Sequence, residues 1–449
     1  MDSRIRTART EYGSGRISEP AERRLELGLN GPLVWLELPS MEFGPVVVEG
    51  QHHSDRFGGF HREKVDRFGA MSSDVQVRKI GRKTALRLGF HALVPTQDER
   101  DIGLSDRTVD LKLTDLIGAV VDGKDLSAKE AEGAIDLFMA GAASEVEMAG
   151  LLVGLRAKGL TPVEVAGGVR ALRKAMVPVH SSDPTVLVDT AGTGGGGVTT
   201  FNISTAAAIV AAGAGAQIAK HGNRSFTSRS GSADVLEALG VKIDLSATRM
   251  GEVLGEAGIV FMFAPLLHPA MRHVGPVRRG LGITTMMNIL GPLTNPAGAR
   301  RQVIGVADPA LIDLIAASLR ELGHARGMVV HGAPGMDEIS PSGPTEVAQV
   351  ANGEIVRYTV TPEELGLESA SIESLAGGEP AENAEVMLRV LAGAPGGART
   401  AVLVNAAAAL WVGEATETLE SGVAMAASAI DSGAAQDALN RLRDATNRV

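Results

Sequence analysis

Apolar and polar positions along the chain change period near residue 181. From residue 111 to 181, apolar residues recur at the three- and four-residue spacing of an amphipathic helix, in segments 134–140, 148–155 and 165–176. Each segment follows a hydroxyl residue with glutamate three places on: Ser127 and Glu130, Ser144 and Glu147, Thr161 and Glu164. That spacing is a capping box, in which two side chains satisfy N–H groups that a helix start leaves unpaired. Pro162 stands at a first helical position, and Gly141 and Gly159 supply stops. The pattern predicts a domain of four short helices over residues 111–181. One small core cannot cover all their apolar stripes, so a partner surface is expected.

After a linker at residues 180–184, short apolar runs at 186–188, 216–220, 259–263 and 327–330 read as buried strands. They alternate with helical segments that start at Ser204 or cover 233–239 and 311–322, and such alternation requires crossovers and a mainly parallel sheet. Asn352-Gly353 between runs 346–350 and 354–360 predicts an antiparallel hairpin added to that sheet. The last hundred residues read as alanine-rich helix serving the core. The fold class is therefore α/β: a small helical domain, then a larger domain over 182–449 with a mainly parallel sheet flanked by helices. Residues 268–300 are a segment that could pack with the helical domain. Residues 1–110 are arginine-rich, hold His52-His53 and show no sustained period, so they read as a disordered extension or as sequence upstream of a later start such as Met71. No function is assigned to them.

The strand ending at Val188 runs into glycines and then into a helix start at Asn202-Ile203-Ser204-Thr205. Glycine lets the backbone approach a ligand closely, and the first helical turn offers unpaired N–H groups at the positive end of its dipole. Together they form a phosphate cradle, although a glycine run alone is equally a flexible turn. The next strand delivers Lys220-His221-Gly222-Asn223-Arg224 into a second loop, so a polyanion held by the first loop would meet Lys220 and Arg224.

Composition narrows the field. A net charge of −10 argues against broad nucleic-acid binding, which needs a cationic footprint, so phosphate recognition is local. No apolar run reaches membrane-spanning length. Zero cysteine excludes disulfides and thiolate metal sites and, without a secretory signal, suits the cytoplasm.

From Leu113 onward the chain resembles anthranilate phosphoribosyltransferase of tryptophan biosynthesis. The resemblance rests on GTGG (192–195), TFNIST (200–205), KHGNR (220–224), GSADVLEALG (231–240), FAPLLHPAM (263–271), PVRRGLG (276–282), NILGPLTNP (288–296) and GMDE (335–338). It implies transfer of a phosphoribosyl group from phosphoribosyl pyrophosphate to the amine of anthranilate, with Mg2+, in a homodimer formed through the helical domain. It also implies donor contacts at Gly192, Gly194, Gly195, Thr200, Asn202, Ser204, Thr205, Lys220 and Ser232. Arg278 would take the anthranilate carboxylate, with Gly192 and Asn223 closing the pocket. Asp337 and Glu338 would hold the metal, with Ser204 as a third oxygen ligand, a set that suits Mg2+. A loop Asp-Glu pair is otherwise merely solvated, and Thr200 and Ser204 could instead cap the helix.

The chemistry builds positive charge on the sugar and negative charge on the departing pyrophosphate, so charge placement and alignment dominate. His221 and His268 are accordingly read as pocket residues rather than acid–base catalysts. One departure matters: the family usually reads GTGGDG, and here Gly196 replaces the aspartate. This change is expected to alter donor affinity or metal dependence while transfer survives. Two rivals are a pyrimidine nucleoside phosphorylase, which would lack the KHGNR and GPLTNP pairing, and a non-catalytic nucleic-acid-binding relative, which should have eroded site motifs.

Overall fold

The computed structural model describes residues 111–225 and 229–448, together with the backbone of four strands before them. Those strands form two antiparallel hairpins, β1 (Arg24–Leu27) with β2 (Val34–Glu37) and β3 (Ser73–Ile80) with β4 (Lys83–Phe90). They correct the reading that residues 1–110 lack a strand period. Val75 and Val77, and Leu86, Leu88 and Phe90, do alternate with other residues, and the register sets Val75 against Leu88. The rest of the expectation for 1–110 lies outside the described residues.

The unit Val109–Val449 begins with α1 (Leu113–Val121), α2 (Ala128–Met139), α3 (Glu145–Lys158) and α4 (Pro162–Ala175). All three capping boxes form, as in the Ser127 N–H that donates to Glu130 at 2.8 Å. Helix α2 buries Ala131, Ala134, Ile135 and Phe138, the three- and four-residue stripe that its sequence carries. Burying a side chain the size of Phe138 contributes about 1.5–3 kcal/mol relative to leaving it in water. Glu164 is fully buried beside this stripe, where it accepts the Leu126 N–H at 2.9 Å and pairs with Lys158 at 3.1 Å.

The sheet comprises β5 (Leu187–Gly192), β6 (Gln217–Gly222), β7 (Ile259–Phe263), β8 (Arg301–Gly305), β9 (Arg326–Gly332), β10 (Thr345–Ala351) and β11 (Glu354–Val360), in the order β11-β10-β9-β8-β5-β6-β7. Strands β5 to β9 run parallel, and β10 and β11 add antiparallel at one edge. Asn352 and Gly353 both take positive φ in the hairpin turn, which is the geometry an Asn-Gly pair favours.

The crossovers are α5 (Ile203–Gly213), α6 (Ser232–Ala238) with α7 (Ala247–Ala257), then α8 (Ala264–Leu267), α9 (Gly275–Leu281) and α10 (Met286–Leu293), and finally α11 (Leu311–Glu321). Four more helices close the chain: α12 (Pro380–Leu391), α13 (Gly397–Val412), α14 (Leu419–Asp431) and α15 (Ala434–Asn447). Helices α5 and α13 are buried on nearly every side, and their alanines allow close packing. At Gly213 an added Cβ would lie 2.6 Å from Ala435 Cα, so α5 and α15 touch through backbone there. Val277 of α9 and Met286 and Leu290 of α10 share one buried apolar cluster with α1 to α4.

Three strand expectations need correction. Strand β8 was not foreseen, because Arg301 and Gln302 interrupt its apolar run, yet it lies beside β5 at the centre of the sheet with Gln302 fully buried. Strand β6 continues past Lys220 to Gly222, since it pairs with β7 as far as Gly222–Phe263. Lys220 and His221 are therefore strand residues. A short 3-10 turn, Pro184–Val186, replaces the expected start of β5.

Candidate active site

The carboxyl ends of β5, β6 and β8 carry the candidate residues, at the point where β8 returns beside β5 and the sheet order reverses. Strand β5 ends at Gly192, where a Cβ would run into the Asp337 carboxylate. Gly194 and Gly195 follow with φ of 69° and 80°, a region that other L-residues rarely adopt. The Gly194 N–H donates to Asp337 at 2.9 Å and the Thr193 N–H to Gly305 at 2.9 Å, so the turn is pinned to two neighbouring segments.

The turn leads into α5. No side chain caps its first turn, which removes the alternative that Thr200 or Ser204 acts as a cap. The Asn202 amide is tied elsewhere, donating to the Ser230 carbonyl at 3.1 Å and accepting from Asn383 at 3.0 Å. Thr200 bridges to Ala376, and the Phe201 N–H donates to Leu375, contacts that local sequence could not reveal. Thr205 is buried, and its hydroxyl has no hydrogen-bond partner among the described residues.

Lys220 reaches across from β6. Its ammonium donates to the Thr190 carbonyl, to Thr190 Oγ1 at 3.2 Å and to Ser204 Oγ at 3.4 Å. Burial lowers its pKa to about 8, against the pull of Asp189 and Glu338. Asp189 beneath it is fully buried, and burial raises its pKa while Lys220 and three hydrogen-bond donors act in the opposite direction.

Thr190, Ser204, Asp337 and Glu338 line one cavity of about 10 Å³, room for a single small ion or water. Burial and the neighbouring Asp337 charge raise the Glu338 pKa well above the usual carboxylate range. Two crowded carboxylates beside a hydroxyl are hard oxygen donors, and a divalent cation would relieve their repulsion. The residues present therefore fit Mg2+. Among the described residues no cluster of three or more His, Cys, Asp or Glu side chains could hold a metal by itself.

On the proposed acceptor side, the guanidinium of Arg278 on α9 makes no hydrogen bond or ion pair with any described residue, and partial burial lowers its pKa. An unpaired guanidinium in that setting is free to pair with an incoming anion. Asn223 follows β6, its side-chain oxygen accepting the Arg224 N–H at 2.8 Å. Ser232 opens α6, 3.4 Å from where a Cβ on Gly222 would lie. Arg224 does not join the anion site as expected: it pairs with Asp234 and Glu237, each at 2.6 Å, and stacks on Phe263.

His221 and His268 face each other with Nε2 atoms 3.2 Å apart. Burial lowers their pKa values to about 3 and about 4, so both rings are neutral near pH 7 and one N–H serves the contact. Sequence reading missed Asp189, Asn295 and Gln302, a buried polar set behind the site. The available signal was a carboxylate inside the apolar run of β5.

The helical-bundle domain model of the glycosyl transferase family matches residues 114–176, and its a/b domain model matches residues 184–436. The anthranilate phosphoribosyltransferase of Symbiobacterium thermophilum is 49% identical over 334 residues, which cover 74% of this chain and 98% of that protein. The crystal structure of the Thermus thermophilus enzyme of the same name superposes with a TM-score of 0.71 at 44% identity, covering 74% of this chain and all of that one. The Saccharomyces cerevisiae enzyme, solved in complex with phosphoribosyl pyrophosphate and Mg, superposes with a TM-score of 0.69 at 26% identity, covering 75% and 98%. By these matches the chain belongs to the anthranilate phosphoribosyltransferase family, pentosyltransferases that move the 5-phosphoribosyl group of phosphoribosyl pyrophosphate onto the amine of anthranilate.

Proposed function

We propose that both substrates meet at the ends of β5, β6 and β8, with each side chain assigned by charge. The donor's pyrophosphate lies on the turn at Gly192, Gly194 and Gly195 and the first turn of α5, where Thr200, Asn202, Ser204 and Thr205 sit. Lys220 and Ser232 approach from the β6 side. The observation that carries this reading is the convergence of Thr190, Ser204, Asp337 and Glu338 around one small cavity, with the Lys220 ammonium hydrogen-bonded to the Thr190 and Ser204 hydroxyls.

Asp337 and Glu338, with the Ser204 hydroxyl, would hold Mg2+. When bound, the ion supplies positive charge that offsets the anion on the leaving pyrophosphate. The chain's own contribution is placement. Lys220 and the N–H groups of the turn that are not given to Asp337 or Gly305 stabilise charge as it grows on the leaving group, and Arg278 orients anthranilate by its carboxylate, with Gly192 and Asn223 beside it. An aromatic amine is already a nucleophile, so the neutral His221–His268 pair shapes the pocket and removes no proton.

The enzyme acts in the cytoplasm as a homodimer through the helical domain. Supporting this, Val121 and Val146 on α1 and α3 are 72% and 81% exposed, and a chain with no cysteine suits a reducing compartment. Loss of anthranilate fluorescence in the presence of phosphoribosyl pyrophosphate and Mg2+ tests the reaction. Consumption that requires the protein, the donor and Mg2+ supports the reading, and consumption without the donor contradicts it.

A further inference from the structure

The two strands that carry Thr190 and Lys220 separate partway along. Strands β5 and β6 pair only at Leu187–Gln217 and Val188–Ile218. Beyond that point β5 keeps its ladder with β8 as far as Gly192–Gly305, and β6 keeps its ladder with β7 as far as Gly222–Phe263. The gap opens toward the site, and backbone groups in it need other partners.

Side chains supply them. Asp189 accepts the His221 backbone N–H at 3.1 Å on one oxygen, and the Asn295 and Gln302 amides at 2.9 and 3.1 Å on the other. The same Asn295 nitrogen donates to the Ala219 carbonyl of β6 at 2.8 Å. Asn295 cannot turn its amide over, because its oxygen accepts the Ala297 N–H at 2.9 Å. Gln302 is held likewise by a second bond to the Pro292 carbonyl at 2.9 Å. Asp189, Asn295 and Gln302 are each fully buried, so none of them can touch a substrate. The two groups they grip on β6, Ala219 and His221, flank Lys220.

We infer that Asp189, with Asn295, is a positioning residue for donor binding: it fixes the width of the gap between β5 and β6 and so sets where the Lys220 ammonium stands. The inference rests on the reading that Lys220 contacts the donor. The position of a charge matters because donors preorganised at the leaving group cost no reorganisation during reaction. A carboxylate suits the task, since it accepts from three directions and carries no donor of its own. An Asn amide at 189 would turn its own N–H groups toward the amides of Asn295 and Gln302.

The test is a double-mutant cycle on the full chain, with steady-state kinetics for both substrates. Asp189→Asn is expected to raise the donor KM about tenfold, with the anthranilate KM changed less than twofold. In a Lys220→Met background the Asp189→Asn effect on the donor KM should vanish. An unchanged donor KM in Asp189→Asn, or the same factor in both backgrounds, overturns the inference. If Lys220→Met alone leaves the donor KM unchanged, the reading of Lys220 itself fails, a separate result. Should Asp189→Asn not fold, Asn295→Ser removes the other bridge to β6 and is put through the same cycle with the same outcomes.

Discussion

The Gly194 backbone N–H donates to the Asp337 carboxylate at 2.9 Å, across 143 residues of sequence. One side chain thus holds the glycine turn in shape and lies in the acidic pair proposed for Mg2+. The turn proposed for phosphate and the acidic pair proposed for metal are thus mechanically joined.

That joint separates two variants. Asp337→Asn keeps an acceptor for the Gly194 N–H and loses only charge, whereas Asp337→Ala loses both. The Mg2+ concentration for half-maximal rate is expected to rise about tenfold or more in each, with an added rise in donor KM only in the alanine variant. Mg2+ titrations at fixed donor check this. Equal donor KM values in the two variants would contradict the dual role.

Gly196 stands where the GTGGDG pattern of the family resemblance has aspartate. A Cβ there would lie 3.0 Å from the Gly335 carbonyl and 3.7 Å from Asp337 Oδ1. Gly196→Asp therefore sets a third carboxylate near the pair, which strengthens cation binding and repels free pyrophosphate oxygens. The Mg2+ and donor titrations should both shift while transfer survives. Superimposable titrations for the two proteins would remove the idea.

Arg278 lacks an ion partner among the described residues, so its loss strands no buried carboxylate of the protein. Arg278→Ala should leave stability within about 1 kcal/mol and raise the anthranilate KM about ten- to a hundredfold, the worth of a charge-assisted contact. Parallel melting curves and kinetics decide it. A wild-type anthranilate KM would place the acceptor's carboxylate elsewhere.

The His221–His268 pair links stability to pH. Their folded pKa values, about 3 and about 4, lie below the ordinary value near 6.5. Below pH 6.5 the unfolded chain therefore binds protons that the folded chain refuses. Their contribution is fully present above that pH and declines as pH falls toward the folded values, by up to about 1.4 kcal/mol per unit for the more buried His221. Urea unfolding at pH 7.5, 6 and 5 should show the decline, and His221→Gln should flatten it. Identical slopes in the two proteins would contradict the linkage.

Local signals in the sequence were read correctly where the physics is local. The boxes at Ser127, Ser144 and Thr161 form because four consecutive residues suffice to define them, and Asn352-Gly353 turns because both residues tolerate positive φ. What was missed depends on partners far along the chain. Asp189 meets Asn295 and Gln302 at separations of 106 and 113 residues, and Gln302 also disguised β8 as non-strand. Arg224 read as a phosphate ligand on residue type and position, but Asp234 and Glu237 from α6 had already claimed it. Lys220 reads as the last residue of its strand, delivered into a loop, yet the strand runs on to Gly222, and the Thr190 and Ser204 oxygens with the Asp189 and Glu338 charges make a buried lysine tolerable there.

The most direct measurement is a crystal structure of the full chain with phosphoribosyl pyrophosphate and Mg2+. The account predicts pyrophosphate oxygens within hydrogen-bond distance of the Gly194–Gly195 backbone and of Lys220, with the ion on Asp337 and Glu338. A donor seated away from Lys220, or an ion held without either carboxylate, would contradict it.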